Sequence, residues 1–392
     1  MKKFIVLLFF VLIQTSYSQW EACNNGLKDL HVYSFISSDS NLFVGNRGDS
    51  TFSGIYYSSN NGNNWTAKNN GLPTYNIDYT LAKSGNNIFA GTINGLYYSS
   101  DNGNNWTAKN VASSVLSLAT NGNYIFAGTS GEGVFLSTDN GNTWTAKNNG
   151  FTNNEFIYMS IFSLAISGNN IFGGADDDEE YGKIFFSTDN GDNWTVKNGG
   201  FPLLYVISYK IIENNIYAFT GDGVYISTDY GDNWIKNDVL SNMGIESIAI
   251  IGNNMFAYGF KGVFFSADNG NTWISKNSGL PNIDIFNLVI SGNYIFAGTF
   301  DGGVFRALLS DITNVDDNLQ NQNSIQLYPN PVTDYLYIKS SNLNPIDKIQ
   351  IFSTLGIKVF ESEYRDKIDV SKLAPGLYIL KIGDKINKFI KM

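Results

Sequence analysis

The sequence predicts an all-β chain, a seven-bladed β-propeller followed by a small C-terminal β-sandwich. Three observations predict it. The motif Ser-x-Asp-x-Gly-x-x-Trp recurs six times, with 38 to 50 residues between successive tryptophans; 39 glycines accompany 15% aromatic residues; and short alternating strands follow the last repeat. Because β-branched and aromatic residues suit strands while Gly and Asn suit tight turns, this composition favours short strands joined by turns.

The first 18 residues are predicted to be a cleaved secretory signal peptide. Lys2 and Lys3 precede ten apolar residues at 4–13, and small and polar residues follow up to Ser18. The alternative is a membrane anchor, but a span needs about 20 apolar residues. We therefore expect an exported, soluble chain without a transmembrane segment, whose propeller covers residues 19–309.

The repeats define the blades. The six motifs end at Trp65, Trp106, Trp144, Trp194, Trp234 and Trp273. Trp20 begins Trp-Glu-Ala-Cys-Asn-Asn-Gly-Leu, which matches the stretch after Trp65, whereas residues 287–307 supply three strands and stop where another motif would begin. Since a period near 40 is typical of a four-stranded blade, Trp20 is predicted to begin the strand that completes the last blade and closes a ring of seven.

The motif itself is predicted to be structural. An aspartate in the turn between the third and fourth strands accepts backbone N–H groups, the glycine supplies positive φ, and the tryptophan covers the hairpin base. The first copy has Asn60 at the aspartate position; the other five have Asp101, Asp139, Asp189, Asp229 and Asp268.

These residues resemble the Asp-box (BNR) repeat. The resemblance implies a propeller of the kind found in sialidases, sortilin-type receptors, photosystem II assembly factors and xyloglucan-hydrolysing enzymes. It also implies that the motif lies on the face away from the ligand site.

The opposite face is expected to carry any function, and one loop there is strongly acidic. Its residues are Asp176, Asp177, Asp178, Glu179 and Glu180. Carboxylate oxygens suit Ca²⁺, so the run is a weak candidate for a calcium site or for an acidic lip that binds a cationic ligand. A solvated loop is favoured over both, because the run lacks the ligand spacing and turn glycine of calcium loops. No cofactor is expected to be required.

Catalysis is not favoured, and no catalytic residue is predicted. A sialidase needs three arginines around the substrate carboxylate, but residues 19–309 contain only Arg47 and Arg306. His31 follows an apolar residue at a strand start and is expected to be packed. Glycoside hydrolysis by two carboxylates stays open. The candidates in or near predicted loops are Asp49, Asp78, Glu132, Glu155, Asp222, Glu246, Asp284 and Asp301.

Charge and cysteine content restrict the partners. Residues 19–309 carry 25 acidic and 13 basic residues, whereas residues 310–392 carry ten of each. Because nucleic acids and anionic membranes bind cationic clusters, neither is an expected partner. Cys23 is the only cysteine, so no internal disulfide can form. We expect a monomer.

The tail is predicted to consist of a polar linker, residues 310–323, and a β-sandwich, residues 324–392. Its motif residues are Tyr328, Pro329, Asn330, Pro331, Gly356, Pro375, Gly376, Leu377, Tyr378 and Lys388. In this order they resemble the type A C-terminal sorting domain of the Bacteroidetes type IX secretion system. The resemblance implies that the secretion machinery is a partner, and that the protein is secreted or attached to the outer-membrane surface. The alternative is an ordinary β-sandwich binding module.

The sequence therefore predicts a secreted or surface-displayed binding or adhesion module whose ligand, a glycan or a surface protein, is not identified. A polysaccharide-active hydrolase that uses paired loop carboxylates is the first alternative. A scaffold in a surface protein complex is the second.

Overall fold

The computed structural model describes residues 18–38, 41–46, 53–73, 80–151, 159–176, 182–202, 204, 206–212, 215–251, 254–281, 284–313, 326–339, 348–353, 358–382 and 385–392. The chain forms two compact units, residues 1–313 and 314–392. Of the predicted signal peptide, only Ser18 lies within the described residues. Among the described residues, no helix is long and apolar enough to cross a membrane.

The first unit contains seven antiparallel sheets of four strands, which confirms the predicted seven-bladed propeller. The first strands of neighbouring blades contact each other around the whole ring. Ahead of blade 1 lies β1 (Glu21–Ala22). Blade 1 contains β2 (Val32–Ser38), β3 (Asn41–Asn46), β4 (Ile55–Ser58) and β5 (Thr66–Ala67). Blade 2 contains β6 (Thr80–Ser84), β7 (Asn87–Thr92), β8 (Gly95–Ser99) and β9 (Thr107–Lys109). Blade 3 contains β10 (Val115–Asn121), β11 (Tyr124–Thr129), β12 (Val134–Ser137) and β13 (Thr145–Ala146).

The next three blades follow the same order, and a short helix joins two of them. Blade 4 contains β14 (Ser160–Ser167), β15 (Asn170–Asp176), β16 (Lys183–Ser187) and β17 (Thr195–Val196). Blade 5 contains β18 (Val206–Ile212), β19 (Asn215–Thr220), β20 (Gly223–Ser227) and β21 (Ile235–Asn237), and helix α1 (Asp238–Asn242) follows it. Blade 6 contains β22 (Ile245–Ile251), β23 (Asn254–Gly259), β24 (Gly262–Ser266) and β25 (Ile274–Ser275).

Blade 7 closes the ring with both ends of the propeller. It contains β26 (Ile285–Ser291), β27 (Tyr294–Thr299) and β28 (Val304–Leu308), and β1 pairs antiparallel with β28. Trp20 is 1% exposed, and its indole Nε1 donates to the carbonyl of Lys276 in the preceding blade, at 2.7 Å. The predicted closure of the last blade by the N-terminal strand is therefore confirmed.

The core of the propeller is divided among the seven junctions between blades. Seven clusters of buried apolar residues each join side chains of two neighbouring blades. The second strand of every blade contributes a buried aromatic ring at its third residue: Phe43, Phe89, Phe126, Phe172, Tyr217, Phe256 and Phe296. Each blade is thus stabilised by apolar area buried against both neighbours.

Helix α2 (Leu309–Thr313) ends the first unit, and here the structure differs from the predicted linker. The sequence assigned residues 310–323 to a linker, but Ile312 is fully buried in the core between blades 6 and 7. This apolar side chain attaches residues 310–313 to the propeller. Residues 314–323 lie outside the described residues.

The second unit is the predicted β-sandwich. One sheet has the order β29 (Gln326–Tyr328), β30 (Tyr335–Lys339), β33 (Lys367–Asp369). The other has the order β32 (Lys358–Glu363), β31 (Lys348–Ser353), β34 (Gly376–Ile382), β35 (Lys385–Lys391). Residues such as Leu336, Ile349 and Leu380, all fully buried, form one apolar core from both sheets.

Candidate functional site

The antiparallel order of the strands separates two faces of the propeller. Turns between first and second strands and between third and fourth strands lie at one end of each blade, which we call the turn face. Loops between second and third strands and the links between blades lie at the other end, the loop face. The Ser-x-Asp motifs are therefore on the turn face, as the sequence predicts.

Each motif forms a closed hydrogen-bonded turn. In the third blade the Ser137 hydroxyl donates to Asp139 Oδ1 at 2.9 Å and accepts the Gly141 N–H at 2.8 Å. Asp139 Oδ1 also accepts the Thr143 N–H at 2.8 Å. Asn140 and Gly141 both have positive φ, 59° and 79°, which Asn and Gly adopt more readily than other residues.

The hydrogen bonds hold the motif carboxylates in the ionised form. Donors from the turn lower the pKa of Asp139 to about 2, first through the Thr143 backbone and hydroxyl. The pKa values of Asp101, Asp189, Asp229 and Asp268 are lowered for the same reason. These five carboxylates have their acceptor oxygens engaged within their own turns, as the predicted structural role requires.

The motif tryptophans fall into two groups. Trp65, Trp106, Trp194 and Trp234 are at most 5% exposed, and the Nε1 of each donates to a backbone carbonyl of the preceding blade at 2.8 Å. Trp144 is more exposed and donates to Gly141 of its own turn, and Trp273 is also only partly buried. The repeat predicts the same role for all six tryptophans, and the structure separates these two from the rest.

The first strands of the seven blades line a central cavity of about 330 Å³. In six of the first strands a bulge interrupts the ladder near the start of the strand, and the residue at the bulge lies at the mouth of the cavity on the loop face. The described ones that line the cavity are Tyr33, Leu116, Phe162, Ile207, Glu246 and Phe286. Tyr33 is 41% exposed, so the mouth is open to solvent. Five apolar side chains and one carboxylate thus surround it.

The next residue in each first strand is Ser, Thr or Asn, and several of these connect adjacent blades. The Ser117 hydroxyl donates to the Ile161 carbonyl at 3.0 Å, and the Ser208 hydroxyl donates to the Glu246 carbonyl at 2.8 Å. Asn287 Nδ2 donates to the Tyr33 carbonyl at 2.8 Å. This polar ring below the mouth therefore holds neighbouring blades together.

Glu246 is the distinctive group at the mouth. Burial, and secondarily the negative charge of Asp284, raise its pKa to about 7. Asp284 lies immediately before β26 in the next blade, and its carbonyl accepts the Phe300 N–H at 3.1 Å. Two of the predicted loop carboxylates are thereby brought together, and one of them is partly protonated at neutral pH.

A row of aromatic rings extends from the mouth across the loop face. Tyr33 contacts Phe286 edge to face at 6.2 Å between centroids, Phe286 contacts Phe300 at 5.7 Å, and Phe300 contacts His31 at 4.9 Å. His31 Nε2 lies 3.0 Å from Asp301 Oδ1, and its Nδ1 lies 3.4 Å from Asp29. The sequence predicted a packed His31; the structure places it between two carboxylates beside an aromatic ring.

The other candidate carboxylates have local partners. Glu132 accepts the N–H and hydroxyl of Ser113 in the link before blade 3, at 3.0 and 2.9 Å. Asp222 pairs with Lys236 and accepts the Tyr225 hydroxyl. Asp49, Asp78 and Glu155 lie outside the described residues, as does Arg47.

Arg306, the other arginine of the propeller, is engaged away from the cavity. It pairs with Glu21 at 2.7 Å and donates to the Asn61 carbonyl in the turn of blade 1.

The acidic run falls largely outside the structure's described part. Asp176 ends β15, where its backbone is paired with Ser160, and residues 177–180 are not described. Among the described residues, no group of three or more His, Cys, Asp or Glu side chains is placed to hold a metal ion. Calcium binding at the run stays a prediction.

In the second unit, the described sorting-motif residues lie at and after the end of β29, immediately before and in the first half of β34, and in β35. Asn330 Oδ1 accepts the Ile390 N–H at 2.8 Å, and its Nδ2 donates to the Lys388 carbonyl at 3.2 Å. The Tyr378 hydroxyl donates to the Ala374 carbonyl at 2.9 Å, and Tyr328 stacks on Tyr337. Pro329, Pro331, Pro375, Gly376 and Leu377 are exposed. Gly356 lies outside the described residues.

One feature of the sequence could have indicated this site, namely the residue type at one repeat position of the first strands. When the first strands are aligned through their shared register, Glu246 stands where the other described blades carry Tyr, Phe, Leu or Ile. A single carboxylate at an apolar repeat position indicates either local strain or a ligand site.

Solved structures with this fold include YCF48 bound to D1 peptide, with a TM-score of 0.58 and 16% identity; the match covers 75% of this chain and 98% of that one. PorZ, an essential surface component of the type IX secretion system of Porphyromonas gingivalis, has a TM-score of 0.56 and 14% identity, over 94% of this chain and 60% of that one. A curated relative, an endo-acting ulvan lyase of Formosa agariphila, is 28% identical over 93 residues, which are 23% of this chain and 18% of that protein.

Two families match the chain itself. Residues 326–392 match the secretion system C-terminal sorting domain, so the protein interacts with a secretion machinery and is exported to the cell surface or the extracellular space. Residues 19–247 match the DUF6242 beta propeller domain. Since that match covers more than half of the chain, the chain belongs to the DUF6242 beta propeller family.

Proposed function

We propose that this protein is an extracellular binding module that holds a segment of a partner protein at the mouth of its central cavity, on the loop face. One observation carries the proposal: all seven first strands converge on an open cavity of about 330 Å³ whose rim is mostly apolar. Concave, largely apolar pockets with a few polar groups are the usual form of ligand sites.

A protein segment suits the mouth better than a glycan does. Tyr33, Phe162 and Phe286 offer apolar surface for a side chain, whereas the hydroxyl groups below them already make hydrogen bonds between blades. A sugar would need several free polar partners. The peptide bound to YCF48, a propeller of similar fold, supports the same choice of ligand class.

The proposal includes three further assignments. Residues 1–18 act as a signal peptide for passage to the periplasm. The six turns are Asp-box (BNR) repeats, and the tail is a type A domain of the Bacteroidetes type IX secretion system. The sequence pattern of residues 1–18 supports the first assignment, and the hydrogen-bonded turns and the tail motif residues support the other two.

The test uses the mature chain, residues 19–392, on arrays of immobilised peptides and glycans. Leu116→Trp fills the cavity mouth, and Ile93→Trp is its control on the loop face outside the cavity, where Ile93 is 49% exposed. We expect peptide retention that Leu116→Trp abolishes and Ile93→Trp preserves. Equal retention by all three proteins would place the site elsewhere.

The second candidate function is glycoside hydrolysis, and the pairing of Glu246 with Asp284 is the observation that favours it. A carboxyl group with a pKa of about 7 beside a second carboxyl group is the kind of pair that serves as a general acid and its partner. A hydrolysis screen on the same glycans distinguishes the two functions. Sugars released by the wild type but not by Glu246→Gln would support the enzyme, whereas retention without turnover would support the binding module.

A further inference from the structure

The charged groups of the cavity are separated by depth. Among the described residues that line it, Glu246 and Lys210 are the charged ones. Glu246 is at the mouth, at the level of Ile207, whereas Lys210 lies three residues further along β18, about 10 Å toward the turn face at the rise of a strand. With Asp284 beside Glu246, the mouth is the electronegative end of the cavity.

The carboxylates adjoin aromatic surface. Phe286, the second residue of β26, lies two positions after Asp284, and its ring contacts Tyr33 of the next blade edge to face. Both rings line the cavity. Aromatic faces next to carboxylates are the combination that binds organic cations, because the ring and the carboxylate both attract positive charge.

We propose that the mouth selects a lysine or arginine side chain of the bound protein segment, with Glu246 and Asp284 receiving the cationic group and Phe286 and Tyr33 packing against its aliphatic stem. The inference rests on the proposed function and specifies its ligand. The long stem of such a side chain covers apolar surface while its charged end reaches the carboxylates.

The protonation of Glu246 supports this assignment. Its pKa of about 7 means that a large share of these carboxyl groups is neutral at pH 7 without ligand. A bound cation favours the ionised form, so binding releases protons and affinity rises with pH between about 6 and 8. Among the described residues, the other titratable groups around the cavity are Asp284, Lys210, Tyr33 and Tyr258.

The test is fluorescence anisotropy on the mature chain with two labelled, N-acetylated pentapeptide amides, Ala-Phe-Lys-Phe-Ala and its norleucine analogue. We expect the lysine peptide to bind at least tenfold more tightly at pH 8, and this preference to shrink at pH 6. Glu246→Gln should reduce the preference at least threefold, since Gln keeps the shape but not the charge, and Asp284 remains. Glu132→Gln, a loop-face carboxyl outside the cavity, is the matched control and should keep it.

The outcomes separate this inference from the proposed function. If both peptides bind equally to the wild type, and Leu116→Trp abolishes both, the binding function stands and the cation selectivity is overturned. If Glu246→Gln, shown by circular dichroism to be folded, keeps the tenfold preference, the assigned residue is wrong. If neither peptide binds and peptide arrays show no retention, the proposed function itself fails.

Discussion

Asn60 shows what one oxygen of the motif carboxylate contributes. In the first blade Asn60 Oδ1 accepts the Asn64 N–H at 3.0 Å and the Ser58 hydroxyl at 2.9 Å. Asp101 Oδ1 makes the same two bonds in blade 2, and its Oδ2 adds a third, from the Asn105 side chain at 2.7 Å. One side-chain oxygen is therefore enough to close the backbone of the turn. The second oxygen and the negative charge add further stability to the closed turn.

Substitutions at Asp101 should separate these contributions. We expect Asp101→Ala to lower the thermal midpoint by more than Asp101→Asn, because Asn retains the bonds to Oδ1. The folded state lowers the pKa of Asp101 below its ordinary value of 3.8, so its stabilisation is present above that pH and is lost as the pH falls through the lower value. Scanning fluorimetry should show the gap between wild type and Asp101→Asn closing below pH 3.8. If the two thermal midpoints differed by the same amount at every pH, the negative charge of Asp101 would not be what stabilises the turn.

Glu246 should destabilise the propeller at alkaline pH. Its folded-state pKa of about 7 lies above the ordinary 4.5, so the folded state binds the proton more tightly and stability falls as pH rises through this window. We expect Glu246→Gln to match the wild type at pH 4.5 and to exceed it at pH 8 by about 1–2 kcal/mol after allowance for solvent screening. Urea unfolding at the two pH values measures this, with Glu132→Gln as control. A difference that does not change with pH would refute it.

At the scale of the strands and links, whether a motif tryptophan is buried depends on the link that precedes its blade. The backbone N–H of Trp106 donates to Asn70, and that of Trp194 to Asn149, within Asn-Asn-Gly links. Trp144 follows the different link Lys-Asn-Val-Ala, and Trp273 lies in blade 6, which follows the link that contains helix α1. The link thus positions the next tryptophan over the junction.

This difference predicts unequal costs of truncation. Trp106→Ala removes a buried ring and its bond to the Lys68 carbonyl, and should cost about 3–5 kcal/mol. Trp144→Ala, the matched control, should cost less, because that ring is partly exposed and its Nε1 bonds to its own turn. Urea unfolding of both variants gives the comparison, and equal losses would show that the link does not set burial.

The blades could be predicted from the sequence because the patterns that indicate them are local. The motif, its 38 to 50 residue spacing and the match between Trp20 and Trp65 are contained in short stretches, so the strand order followed from counting. The site was harder to predict. Glu246 is one of several acidic residues near loops, and its proximity to Asp284 depends on how β22 and β26 lie in the ring. Helix α2 was missed because the single buried Ile312 does not produce a periodic pattern.

For the whole molecule, the two compact units predict that export and propeller folding can be separated. We expect a chain without residues 326–392 to accumulate in the periplasm with an unchanged propeller melting transition, because that segment contains the sorting domain and its own core. Immunoblots of the medium and the periplasm measure it. Leu380→Asp, which places a charge in the sandwich core, should have the same effect. Undiminished export of both variants would remove the tail from the secretion step.

The N-terminal strand also sets an order of events during folding. Trp20 and β1 are made early, but their partners Lys276 and β28 lie more than 250 positions later in the chain. Contacts this distant are slow to form, because a long loop must close before any of them is gained. The first residues of the propeller must therefore wait until nearly the whole repeat array has emerged. Once β28 has formed and until β1 pairs with it, blade 7 has an unpaired strand edge and the Lys276 carbonyl lacks its indole donor, so a chaperone or a second chain can pair there.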